Sequence, residues 1–192
     1  FGKWDELIGQ TPSHSDMPYL DGIWAYAQGS AMLATGDLAG ARKQLEKLQT
    51  IANAPDADEY RAGPTPVSSI IKLAAFGLDG EIKQKEGHLD AAITAFEKAV
   101  ALEDLNNYTE PPDWAQPMRN YLGAALMEAG QYAEAEAVYR RDLKWNHKNG
   151  WSMFGLHKAL RAQGKSSEAV VAQQQFEIAW QHADIELTQS RL

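Results

Sequence analysis

Two sets of side chains in this 192-residue sequence have types and spacings that could do chemistry. The first is the histidines: His14, His88, His147, His157 and His182. His157 and His182 could supply half of a metal site, since neutral imidazole is a common ligand for zinc and copper. Two histidines without a carboxylate partner do not complete such a site, and the plainer reading is that the His157 imidazole fills a gap near the C-terminal end. The second set mixes aromatic and basic residues. Trp151, Phe154, Lys158 and Arg161 fall three or four residues apart, so they share one face of a helix. Aromatic anchors beside cations suit recognition of a peptide carrying acidic groups, because such residues dominate interface hot spots.

Signatures of catalysis are missing. The sequence has no Gly-x-Ser-x-Gly elbow, no Gly-x-x-x-x-Gly-Lys-Ser/Thr loop and no His-Glu-x-x-His pair. It has no cysteine, which removes disulfides, thiolate metal sites and a cysteine nucleophile. The expectation is therefore a binding protein rather than an enzyme, with no cofactor and no bound metal. The formal net charge of −8 argues against a nucleic-acid partner. No run approaches the roughly 18 apolar residues of a membrane span. Charge is unevenly spread: residues 1–139 carry a net −11, residues 140–165 a net +6 and residues 166–192 a net −3. The basic stretch is where an acidic partner is expected.

Helices must hold these residues in place. Five segments share Gly-x-(apolar)-x-x-(Ala/Leu) or a close relative, beginning at Gly2, Gly36, Gly87, Gly130 and Gly164. Their spacings are 34, 51, 43 and 34 residues, and 34 is a period of helix–turn–helix repeat units. Nine residues after the glycine come Leu45, Phe96 and Tyr139. Four before it come Met32, Leu126 and Leu160, and seven before it come Gly29, Gly80 and Gly123. His157 stands where a fourth small residue belongs, Lys83 stands at an apolar position beside Ile82, and Ser166 and Gln173 replace apolar residues.

On these residues the chain resembles a tetratricopeptide repeat (TPR) protein. The resemblance implies an all-α fold, a right-handed superhelical solenoid of antiparallel helix pairs. It divides the chain as one solenoid: a half repeat at 1–21, full repeats at 22–55, 73–106, 116–149 and 150–183, insertions near 56–72 and 107–115, and a tail at 184–192. Trp4, Leu38, Tyr132 and Tyr139 are expected between helices, with Trp180 sealing the last repeat. Trp4, Leu7 and Ile8 open on a helix whose partner would lie upstream. The start at Phe1, without an initiator methionine, reads as an internal piece of a longer chain. The Pro- and Asp-rich stretch Asn53–Pro66 reads as a loop, and Asp113 as the N-cap of the helix after Pro111-Pro112.

The run Glu110-Pro111-Pro112-Asp113-Trp114, with Pro117, Arg119, Leu122-Gly123-Ala124, Val138-Tyr139-Arg140 and Asn149-Gly150-Trp151, is similar to the C-terminal part of larger bacterial TPR proteins. That implies a bacterial source, cytoplasmic or periplasmic, and supplies no reaction. In TPR proteins the first helices of successive repeats line a concave groove. Carried over residue by residue, this selects Tyr26 and Ser30, then Asn120, Tyr121 and Glu128, then Trp151, Phe154, Lys158 and Arg161 as peptide-facing. A small-ligand or metal-binding domain, and a structural or dimerising spacer, are the competing expectations.

Overall fold

The computed structural model describes residues 3–11, 17–106 and 109–191. Gly2, which opens the first glycine motif, and the first of the histidines, His14, lie outside the described residues. The protein is predominantly helical. Its helices are α1 (Trp4–Ile8), α2 (Pro18–Ala34), α3 (Leu38–Ala52), α4 (Val67–Lys85), α5 (Leu89–Leu105), α6 (Met118–Glu128), α7 (Tyr132–Asp142), α8 (Gly150–Ala162) and α9 (Ser166–Trp180). A two-stranded antiparallel hairpin, β1 (Arg61–Ala62) and β2 (Thr65–Pro66), precedes α4. Among the described residues no helix is long and apolar enough to cross a membrane.

Four pairs repeat one local design. α2 and α3, α4 and α5, α6 and α7, and α8 and α9 are each joined by three residues and pack side by side. A connection that short forces the second helix to double back. The reversal uses a residue with positive φ, at Gly36, Gly87, Gly130 and Gly164, where φ lies between 74° and 92°. A side chain there would be strained, so these four positions take glycine. Two caps then start helices cleanly. The Asp37 carboxylate accepts from the Gly40 amide at 2.8 Å, and the Asn149 side chain accepts from the Trp151 amide at 3.1 Å.

The chain forms two compact units, 1–115 and 116–192. In the first, α2 packs on both α3 and α4, and α5 completes the layer. Its core is Ala25, Leu33, Leu45, Leu48, Ile71, Ala74, Leu78 and Ile82, with Phe96 buried against Gly80. Ile82 takes the buried position, while Lys83 turns aside to pair with Asp79 at 2.6 Å. The short α1 rests on α2, and the Gln28 amide donates to the Leu7 carbonyl oxygen at 2.8 Å.

Boundaries depart from the sequence reading in this unit. α2 begins at Pro18 rather than 22, and α4 begins at Val67, so residues 67–72 belong to a helix and not to an insertion. Asp113 is no helix cap. The cap of α6 is Pro117, four residues later, and no side chain bonds the free amides there. The Asp113 carboxylate accepts instead from the Thr65 hydroxyl at 2.5 Å and the Thr109 hydroxyl at 3.1 Å, tying its loop to the hairpin. Trp114 sits edge-on to Tyr26, with ring centroids 4.9 Å apart.

The second unit is built on one side chain. Tyr139, fully buried on α7, lies between Gly123 of α6 and Gly155 of α8. A Cβ at either glycine would meet the Tyr139 ring at 2.4 Å or 2.2 Å. Only bare backbone lets an aromatic ring pass that closely. Tyr132, expected in the core, is 37% exposed, because it is the first residue of α7 and its turn faces solvent. Trp4 and Leu38 are half-buried.

Candidate functional site

In the second unit, the residues singled out for binding separate into a buried group and an exposed edge. The buried group begins with Asn120 of α6, which has no exposed surface. Its side-chain oxygen accepts from the Asn149 amide at 3.2 Å and lies 2.8 Å from the Ser152 hydroxyl. The single Ser152 proton goes to the nearer, charged Asp142 carboxylate at 2.6 Å, to which the Asn149 amide also donates at 2.8 Å. Asn146 adds a third bond to Asp142 at 2.9 Å. A buried carboxylate is tolerable only when its lone pairs are satisfied in this way. The network fastens the end of α7 to the start of α8, and it makes Asn120 a structural residue rather than the surface contact expected of it.

Tyr121 is likewise buried, against expectation. Its hydroxyl donates to Gln116 at 3.0 Å, and the Arg191 guanidinium stands 5.7 Å from its ring centroid. The physical reason lies far along the chain. After α9 the segment 181–191 returns to α6, and Ser190, 2% exposed, inserts between α6 and α7. Its hydroxyl donates to the Asn120 carbonyl oxygen at 3.0 Å and takes the Tyr139 hydroxyl proton as acceptor at 2.6 Å. Burial pushes the Tyr139 phenol up from its ordinary range, although the bond to Ser190 pulls the other way. Tyr139 therefore stays a neutral donor.

The exposed edge belongs to α8. Phe154 is buried against Phe176 of α9 at a centroid separation of 5.4 Å, and Trp151, half-buried, meets Trp180 at 5.4 Å. Phe176 and Trp180 stack at 5.8 Å, so four rings form a continuous apolar ridge across α8 and α9, in which Phe154, expected to face a peptide, is covered by Phe176 and the other three rings are half-buried. Trp180 holds its place by donating its indole N–H to the Ile185 carbonyl oxygen at 2.8 Å. Beside the ridge, Lys158 and Arg161 are exposed, and the Lys158 ammonium lies 5.3 Å above the Phe154 ring. Among the described residues neither cation is engaged in an ion pair. The neighbouring cations differ. Arg140 pairs with Glu136 at 2.8 Å and Glu168 at 2.5 Å, and Lys165 with Glu136 at 2.6 Å. Burial alone would raise the Glu136 carboxyl, but hydrogen bonds from Lys165, Arg140 and Gln163 prevail and hold it at about 2. Arg140 and Lys165 thus serve the fold.

His157 fills the position of the missing small residue. Its Nδ1 lies 2.9 Å from the Ala169 carbonyl oxygen, which can only accept, so the imidazole donates from Nδ1 and fastens α8 to α9. His182 is exposed beyond α9. No group of three or more potential metal ligands occurs among the described residues.

The first unit holds Tyr26 and Ser30, both half-buried on α2. Their hydroxyls donate to the buried Glu81 carboxylate of α4 at 3.3 and 3.4 Å. Glu81 was not singled out by the sequence, because an acidic residue in a helix reads as a solvated face. Glu128 is exposed at the end of α6. No family model, curated protein or solved structure matches this chain.

Proposed function

We propose that the helix pairs are tetratricopeptide repeats and that the protein is an interaction module, not an enzyme, that takes an acidic peptide along the exposed edge of α8. The repeat reading draws support from the left-handed glycines closing each pair and from the small residues packed between helices at Gly29, Gly80 and Gly123. The observation that carries the binding reading is the pairing of Lys158 and Arg161, exposed and in no ion pair among the described residues, with the half-buried rings of Trp151, Phe176 and Trp180 on the aromatic ridge. A cation beside an apolar ridge offers both halves of a hot spot: desolvated area for a partner's apolar side chain and a charge for its carboxylate.

Tyr26 remains a contact candidate of the first unit. Asn120 and Tyr121 are not part of the acidic-peptide edge on α8, because the segment after α9 covers them. The test is capture of partners by the wild type and by a variant combining Lys158→Glu with Arg161→Glu. Captured partners should be lost from the variant with its helical circular dichroism unchanged, and equal capture by both would remove the basic edge from the account.

A further inference from the structure

We propose that the cleft between α6 and Tyr139 is itself a peptide-binding site, occupied in this structure by the chain's own Ser190 and Arg191, and that it accepts in trans an extended segment with a serine or threonine followed by an arginine. It lies on different helices from the Lys158–Arg161 edge and selects the opposite ligand charge, so either can fail without the other.

The geometry that points to this is the asymmetry between the cleft and its occupant. The cleft is built from rigid parts. Tyr139 reaches it only because Gly123 and Gly155 carry no Cβ, and Tyr139 and Asn120 are both fully buried. The acceptor offered to Ser190 is a main-chain carbonyl of α6, fixed by the helix itself. Tyr121 supplies a ring face to the following arginine. The occupant, by contrast, has neither helix nor strand, and residues 181–186 leading to it are exposed. Upstream it is held by the bond from Trp180 to Ile185.

The contacts also define the ligand. A hydroxyl that both donates and accepts is needed between Tyr139 and Asn120, since the phenol donates and the carbonyl accepts. Serine and threonine meet that need, and alanine or valine would leave both groups without the bond. The next residue must place a cation over Tyr121, and arginine does so with a planar head suited to stacking. Within residues 166–192 the sequence has one basic residue, Arg191, and it is the one at this position. A tethered segment competes at an effective concentration of roughly millimolar, so a free peptide binds appreciably only once the resident segment is lifted.

The experiment measures fluorescence anisotropy of a labelled peptide copying Asp184–Arg191, titrated with the full chain and with a full-chain variant combining Ser190→Asp and Arg191→Asp. Amide hydrogen exchange of residues 187–190 reports whether the segment has lifted, and circular dichroism reports folding. A milder variant, Ser190→Ala with Arg191→Ala, stands in if the first does not fold. The expected result is faster exchange in the variants and peptide binding at least about tenfold tighter than to the wild type. Replacing the peptide's serine or arginine by alanine should weaken it at least about threefold each. Equal binding to wild type and folded variant overturns the proposal, as does no binding once exchange shows the segment lifted. Unchanged exchange in a folded variant also overturns it, because Ser190 and Arg191 would then not be what holds the segment.

Discussion

Gly155 offers the sharpest perturbation of the second unit. A Cβ there would lie 2.2 Å from Tyr139 Cζ, and on the other side of the ring a Cβ at 123 would lie 2.4 Å from Cε1. Carbon atoms in contact sit about 3.5–4.0 Å apart, so Gly155→Ala asks the ring to move by more than ~1 Å. It has nowhere to go, because the backbone at Gly123 closes the opposite side and the hydroxyl is fastened to Ser190. Overpacking a core costs about 1–3 kcal/mol, and a ring clamped on both faces belongs at the upper end. Alanine returns about 1 kcal/mol as the better helix former. The net expectation is a loss of about 2 kcal/mol, read from urea unfolding followed by far-UV circular dichroism. In a Tyr139→Leu background the obstructing ring end is gone, and the same Gly155→Ala change should be neutral or stabilising by up to about 1 kcal/mol. The reasoning is refuted if Gly155→Ala leaves the wild-type background as stable as before, or if the loss is the same size in both backgrounds.

Other expectations follow from the same contacts. Asp142→Ala removes the carboxylate shared by Ser152, Asn149 and Asn146, leaving Asn146 without this acceptor and Ser152 and Asn149 with the Asn120 side-chain oxygen, which should cost about 2 kcal/mol in a denaturant titration, with Asp142→Asn costing less. The Glu136 carboxyl is held at about 2 against an ordinary 4.5; its folded value is depressed, so its contribution is complete above about pH 4.5 and lost as pH falls through about 2. Because the Arg140 and Lys165 side chains are 43% and 41% exposed, solvent screening limits this to about 1 kcal/mol between about pH 5 and pH 3, a loss that Glu136→Gln should not show. Gly130→Ala, at φ 74° with open space around it, should cost about 1 kcal/mol from backbone strain alone in the same urea unfolding assay.

The helix pairs were legible because two independent signals coincide. Apolar residues recur at helical spacing, and each pair closes on a glycine that the three-residue turn requires, as at Gly130 between Leu126 and Tyr139. Small residues seven positions before those glycines were legible for the same reason, and Gly29, Gly80 and Gly123 each meet a large neighbour, Leu78, Phe96 and Tyr139. What stayed hidden depends on contacts between distant residues. Nothing in the pattern around Asn120 and Tyr121 says that Ser190, 70 residues away, returns to cover them. Helix periodicity assigns a face to a residue but not what lies on that face. Asp113 shows the same limit locally: its residue type suits a cap, yet Pro117 sets where the helix begins and Thr65 claims the carboxylate. Lys158 and Arg161 kept their expected exposure because they lie on the α8 surface that α9 leaves open.

A charge swap tests the binding account most directly. Anisotropy titrations would compare an acidic peptide carrying one tryptophan with its lysine-substituted counterpart, against wild type and the variant with Lys158→Glu and Arg161→Glu. The account predicts that the acidic peptide binds wild type and loses at least about tenfold in affinity on the variant, while the basic peptide gains on it. Equal affinity of the acidic peptide for both proteins would contradict it.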